Sequence, residues 1–181
     1  MTRFNKGVET SLLPVWCIAL MCSQARAQEF NIDTELELAN ELERYGGSSA
    51  ANISNIYQVG SLNHVGAQQY GTINYLAISQ EGAKNLLLVR QSGAANVAIS
   101  AQSGEVNVAA LIQIGYENLI LLQQAGYGNN ANISQYGYQN SATVNQVGAF
   151  NEVSIYQSGS GLHTEITQKG VALTTIVKQY D

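Results

Sequence analysis

The sequence predicts an all-β fold, a β-solenoid of cross-β type with two parallel sheets, and three observations carry that prediction. The first is a period. Gln recurs every eleven residues at Gln58, Gln69, Gln80, Gln91, Gln102, Gln113, Gln124, Gln135, Gln146, Gln157, Gln168 and Gln179. The second is what keeps step with it. Gly follows two places later at Gly60, Gly71, Gly82, Gly93, Gly104, Gly115, Gly126, Gly137, Gly148, Gly159 and Gly170. Asn opens the units at Asn52, Asn63, Asn74, Asn85, Asn96, Asn107, Asn118, Asn129, Asn140 and Asn151. A fixed period of this kind marks a repeat architecture. The third is alternation. Asn129, Ala131, Ile133 and Gln135 lie two apart, as do Asn118, Ile120, Leu122 and Gln124. Period two is a strand signal, because successive side chains point to opposite faces.

Each eleven-residue unit therefore reads as one strand of about six residues and one tight arc. Gly suits the arc because it reaches positive φ without a Cβ clash. Two units close a flat coil of 22 residues, and coils stack about 4.8 Å apart with their sheets about 10 Å apart. Stacking sets Asn over Asn and Gln over Gln. Their amides then bond from coil to coil, which buried polar groups require and which stabilises cross-β stacks.

Taken in order, the chain begins like a secretory signal over residues 1–27. Arg3 and Lys6 supply a basic start, Ser11 to Cys22 an apolar stretch too short to span a bilayer, and Ala25-Arg26-Ala27 a cleavage site that places the new N-terminus at Gln28. Removal takes both cysteines, the one proline, the one tryptophan and both methionines. It also takes three of the eight basic residues and one of the thirteen acidic ones, leaving a more acidic chain. A chain without Cys forms no disulfide in an oxidising compartment, and one without Pro can donate every backbone N–H to its ladder.

Residues 28–51 form an acidic leader. Ile32, Leu36, Ala39 and Leu42 share one face of a short helical pattern, and Thr34 and Glu37 have capping-box spacing. Isolated helices this short are marginal in water, so the leader is expected to lack stable structure and to serve as a handle for export. Gly46-Gly47-Ser48-Ser49 reads as a flexible joint. Residues 52–181 are the repeat domain.

Within the repeats, the units beginning at Asn85, Asn96, Asn107 and Asn118 carry apolar residues at outward positions as well, among them Leu86, Leu88, Ile99, Val108, Leu119 and Leu121. Both outer faces should thus expose an apolar belt suited to lateral association. The last two units deviate. Leu162 and Leu173 stand where Asn is expected, Thr164 and Thr175 enter the first inward position, and Asp181 takes the place of the last Gly. Unlike terminal units are common in solenoids, where they block further stacking.

Catalytic and metal-binding constellations are not expected. His64 and His163 are the only histidines, and they fall in units on opposite sheets. Phosphate loops, paired CxxC motifs and nucleophile elbows are missing, and so is a basic patch for nucleic acid. The reading is of a protein that is not an enzyme and that needs no cofactor, nucleic acid or small-molecule substrate.

The run Asn129-Asn-Ala-Asn-Ile-Ser-Gln135-Tyr-Gly137-Tyr-Gln-Asn140-Ser-Ala142-Thr-Val-Asn-Gln146 resembles the curlin repeat, and the resemblance extends over residues 52–181. It implies a subunit of curli, the amyloid fibres of the bacterial cell surface that serve biofilm formation and adhesion. It also implies secretion, passage through an outer-membrane pore with accessory factors, self-association into fibres and a major curlin subunit as partner. Leu38-Ala39-Asn40-Glu41-Leu42 and the deviant last units resemble the minor curlin subunit, which nucleates the major one. A major fibre subunit is the alternative. The chain carries more coils than the familiar curlins, so length does not choose between the roles.

Overall fold

The computed structural model describes residues 51–181. The signal segment, the Ala27–Gln28 cleavage point, the leader and its glycine-serine joint lie outside the described residues.

Twelve strands follow one another with two-residue breaks. They are β1 (Ile53–Ser61), β2 (His64–Thr72), β3 (Tyr75–Ala83), β4 (Leu86–Ala94), β5 (Val97–Glu105), β6 (Val108–Tyr116), β7 (Leu119–Tyr127), β8 (Asn130–Tyr138), β9 (Ser141–Ala149), β10 (Glu152–Ser160), β11 (His163–Val171) and β12 (Thr174–Tyr180). Odd-numbered strands form one six-stranded sheet and even-numbered strands the other. All pairings are parallel and in register with the repeat: Gln58 lies against Gln80 and Gly60 against Gly82, and Gln91 against Gln113. The result is a β-solenoid of six coils.

Alternation decides what lies between the sheets. Leu76 and Ile78 from β3 meet Leu87 and Val89 from β4, and the same pair of positions carries one continuous core through Ala98, Leu111, Ile120, Ile133, Val144 and Ile155. Core residues in a stack this thin are short or branched, so that two facing rows fill the gap. One position departs from the rule. Ser100 occupies an inward slot between Ile78 and Leu122, and its buried hydroxyl has no hydrogen-bond partner.

The strands are longer than the expected six residues. Eleven of them span nine residues, and pairing runs straight through the Gly expected in the arc. Two features of the Gly slot explain this. Gly60 sits at φ +109° and Gly115 at φ +129°, which bends the strand without ending it. A Cβ on Gly115 would also overlap the carbonyl oxygen of Gly137 in the next coil. Glycine is thus needed for close stacking as well as for its dihedral.

The reversal itself falls on the residue before each Asn from Asn63 to Asn151 and before Leu162 and Leu173, which fill the same slot. Leu62, Ile73, Lys84, Ala95, Val106, Glu117, Gln139, Phe150 and Ala172 all adopt φ of 54° to 59°, and Gly128 and Gly161 fill the same slot at 64° and 66°. Left-handed backbone costs a non-glycine residue about 1 kcal/mol. The N–H of this residue bonds to the coil before, as Lys84 N–H does to Ser61 O at 2.9 Å and Glu117 N–H to Ala94 O at 3.1 Å.

The outer faces differ from each other. On the odd sheet, Tyr75, Ile99 and Leu121 are buried in a second cluster with Ala77, Val97 and Leu119. This corrects the expectation of an exposed belt on both sides. On the even sheet, Leu88 and Val108 remain exposed.

Candidate functional site

The chemistry of this chain lies in its amides, and the stack gives them a direction. Each Gln side chain donates from Nε2 to Oε1 of the Gln one coil later. On the odd sheet the ladder runs Gln58 to Gln80 at 2.6 Å, Gln80 to Gln102 at 2.6 Å, then Gln124, Gln146 and Gln168 at 2.8–2.9 Å. On the even sheet it runs from Gln69 through Gln91, Gln113, Gln135 and Gln157 to Gln179 at 2.8–3.1 Å. The second Nε2 proton reaches across the core to backbone. Gln113 donates to Val97 O and Asn118 O, both at 2.9 Å. A single side chain therefore ties its own strand to the next coil and to the opposite sheet.

Asn works in the reverse direction. The Oδ1 of each Asn accepts from both the backbone N–H and Nδ2 of the Asn one coil later. Asn74 donates to Asn52 through both at 3.0 Å, and Asn140 to Asn118 at 3.2 Å and 3.1 Å. Nδ2 also reaches the carbonyl of a stacked Gly, as from Asn85 to Gly104 at 2.9 Å and from Asn129 to Gly148 at 3.1 Å. Asn63 joins Asn85 and then Asn107 on one side of the stack, and Asn96 joins Asn118 and Asn151 joins Asn129 along theirs. From Asn74 to Gln157 these side chains are at most 2 % exposed. An unpaired amide at such a site costs about 1–3 kcal/mol, so the ladders fix the register.

The two ends of the stack are chemically unlike. At the β1/β2 edge, Oε1 of Gln58 and of Gln69 and the N–H of Asn52 and of Asn63 make no hydrogen bond among the described residues, though every one of their counterparts further in does. Backbone alternation leaves more groups open. Ile53 N–H points to Asn74 O and His64 N–H to Asn85 O. The N–H and C=O of Ser54, Ile56 and Gln58 on β1, and of Val65, Ala67 and Gln69 on β2, therefore point away from the stack.

The β11/β12 edge is tied to itself. Leu162 and Leu173 donate their backbone N–H to Asn140 and Asn151 at 3.1 Å, but they have no amide to offer a further coil. Thr164 donates to Gln179 Oε1 at 2.7 Å, and Gln168 Nε2 donates to Thr175 Oγ1 at 3.0 Å. Tyr180 packs on Tyr156 with ring centroids 5.6 Å apart. Asp181 folds its carboxylate over Gly159 and accepts from the backbone N–H and hydroxyl of Ser160, both at 2.9 Å. Those two bonds, the backbone one first, hold the Asp181 carboxyl below its ordinary value.

Sequence reasoning placed the Gln, Asn and Gly positions and missed three others. It did not single out the left-handed residue before each Asn, which no residue type marks. Nor did it foresee the bonds of Thr164 and Thr175 to the Gln ladders, or the cap made by Asp181.

With this geometry in view, comparison with known proteins gives one match. Residues 139–170, from the turn before β9 to the Gly slot of β11, match the curlin associated repeat. That match supports the curlin family. No curated protein and no solved structure matches. Curlins are structural subunits of extracellular amyloid fibres. The curlin repeat together with the solenoid supports a structural curli subunit at the cell surface that associates with itself into fibres.

Proposed function

We propose that this chain is the minor curlin subunit, which nucleates polymerisation of a major curlin subunit in biofilm formation and adhesion. One observation carries the reading: the same repeat ends in an open amide edge on one side and a self-bonded edge on the other. Starting a cross-β stack is slow, because the first coil orders some twenty residues before stacking rewards them. A folded solenoid removes that step. Its edge offers unpaired backbone groups in a fixed register, and the side-chain amides of Gln58, Gln69, Asn52 and Asn63 select a coil with the same spacing.

Residues 1–27 take the chain out of the cytoplasm, residues 28–51 serve the outer-membrane pore and its accessory factors, and residues 52–181 template. The full set of ladder and turn residues named above forms the working surface of that last part. A major fibre subunit is the second reading, favoured by the Gln ladder that runs unbroken to Gln179.

Seeding separates the two. The chain without its signal segment is assembled, and a trace is added to the soluble major curlin of the same cell while thioflavin fluorescence is followed. A nucleator abolishes the lag. An unchanged lag, with this chain alone giving abundant fibres, assigns it to the bulk of the fibre.

A further inference from the structure

We infer that coils are accepted only at the β1/β2 edge, and only from a partner whose own last coil carries Asn at the slots of Leu162 and Leu173 and Gly at the slot of Asp181, so that a second copy of this chain is a poor partner. The inference rests on the nucleator reading for its biological setting but on hydrogen-bond direction for its content.

A coil arriving below β1/β2 must supply what each coil supplies to the next. It must present two Asn Oδ1 atoms, because the N–H and Nδ2 of Asn52 and Asn63 should be accepted as those of Asn74 and Asn85 are, at 3.0–3.2 Å. It must present two Gln Nε2 groups for the free Oε1 atoms of Gln58 and Gln69, as Gln58 itself does for Gln80. It must also have glycine in its two turn slots. A Cβ on any interior turn glycine from Gly60 to Gly148 would overlap the carbonyl of the glycine one coil later.

A second copy of this chain fails on two counts. In a continued stack its Leu162 and Leu173 would face Asn52 and Asn63, leaving both backbone N–H groups without an acceptor and both Nδ2 groups with only the carbonyls they already reach, Gly71 O for Asn52 and Val59 O and Gly82 O for Asn63. Its Asp181 would face Gly71, with a side chain where the stack leaves no room. Gln179, whose Nε2 bonds only His163 O, would still match and Gly170 would meet Gly60, while the Nε2 of Gln168 is already shared with Thr175. The junction is thus aligned by one ladder and refused by the other, which selects against self-stacking without destroying the register. At the β11/β12 edge the refusal holds for any arriving chain, because the leucines offer no amide and Thr175 already takes a proton of Gln168.

The test repairs the partner. The triple variant Leu162→Asn/Leu173→Asn/Asp181→Gly of this chain should assemble by itself at least ~10-fold faster than the unmodified chain, a change of about 1.4 kcal/mol in the barrier. Soluble triple variant is then given preformed seeds of the otherwise unmodified chain blocked at one edge. Proline is tolerated at edge strands where its missing N–H faces outward. Ser54→Pro/Ala67→Pro removes outward N–H groups from β1 and β2, and Glu165→Pro/Ile176→Pro does so on β11 and β12. The first seed should leave the lag as long as no seed does, and the second should shorten it as the unblocked seed does. Circular dichroism of both seeds checks that the strand signal is kept, and each seed carries the same number of prolines.

The inference is overturned if the triple variant gains nothing, if the Ser54→Pro/Ala67→Pro seed stays active, or if the Glu165→Pro/Ile176→Pro seed is the inactive one. Failure of the nucleator reading looks different. In that case the triple variant and the blocked seeds behave as stated, yet the unmodified chain leaves the lag of the major curlin unchanged.

Discussion

The β1/β2 edge and the β11/β12 edge are made from one repeat, yet one leaves its ladder acceptors and Asn N–H groups open while the other has lost its ladder Asn and turns Gln168, Thr164 and Asp181 back on the stack. Few residues separate them. Asn52 and Asn63 become Leu162 and Leu173, inward Ser54 and Val65 become Thr164 and Thr175, and a turn glycine becomes Asp181. The lesson is that in a stack of identical coils, growth is controlled at the ends. Interior coils satisfy one another whichever way the stack extends. Only the last coil on each side decides what can follow.

Gly60→Ala and Gly170→Ala make the widest test of that difference. The added methyl at Gly60 would overlap the carbonyl oxygen of Gly82, while at Gly170 the nearest contact is Leu173 Cδ1 at 3.3 Å. Both keep a strained φ, so both destabilise. The first should cost about 3 kcal/mol or more and the second about 1 kcal/mol, read from denaturant midpoints. Equal costs would mean that the edges do not differ in packing.

Gln113→Ala and Gln179→Ala come next and set the buried ladder against its outer end. The Gln113 side chain donates three hydrogen bonds, accepts a fourth and is fully buried. Its loss also removes the ladder acceptor of Gln91 Nε2 and the ladder donor of Gln135 Oε1. A cost of about 2–4 kcal/mol is expected there, against about 1 kcal/mol or less for the half-buried Gln179. A smaller effect at Gln113 would show that the ladder contributes register but little stability.

Ser100→Val separates stability from templating. It replaces an unpartnered buried hydroxyl with two methyl groups, matching the apolar Ile78 and Leu122 on either side. Stability should rise by about 1 kcal/mol, with the seeding rate unchanged, because neither edge is touched. A seeding rate that follows stability would move control from the edges to the core.

Acid gives the smallest effect and acts at one edge. The Asp181 carboxyl is held below its ordinary value by Ser160. A group with a depressed folded pKa contributes above its unfolded value and loses that contribution as pH falls through the folded one. Below the usual carboxylate range, the Ser160 amide should exchange faster while the amides of β3 and β4 do not change. Exchange rising at both ends together would point to general loosening.

Much of this was legible in the sequence because stacking forces chemistry into columns. A buried amide column admits only residues that can pair with themselves, so Asn and Gln betray the coil length and the register. Glycine betrays its slot because the next coil's carbonyl leaves no room for a methyl. The left-handed residue left no mark, because its side chain points to solvent and closure of the coil imposes its φ on Leu62, Lys84 and Phe150 alike. Strand length was underestimated for a related reason: a glycine read as a stop is a bend within a strand. The outer face of the odd sheet was misread because period two places side chains such as Ile99 and Leu121 outward but does not say whether they stay exposed. At the β11/β12 edge, the substitutions were visible, while the bonds from Thr164 and Asp181 depend on rotamers that spacing does not encode.

Residue-resolved hydrogen exchange on an isotope-labelled seed, before and after it is mixed with soluble Leu162→Asn/Leu173→Asn/Asp181→Gly chain, tests the difference between the edges most directly. The account predicts new protection at the outward amides of Ser54, Ile56, Gln58, Val65, Ala67 and Gln69, with those of Glu165, Thr167, Ile176 and Lys178 still exchanging. Protection that appears instead at β11 and β12 would contradict it.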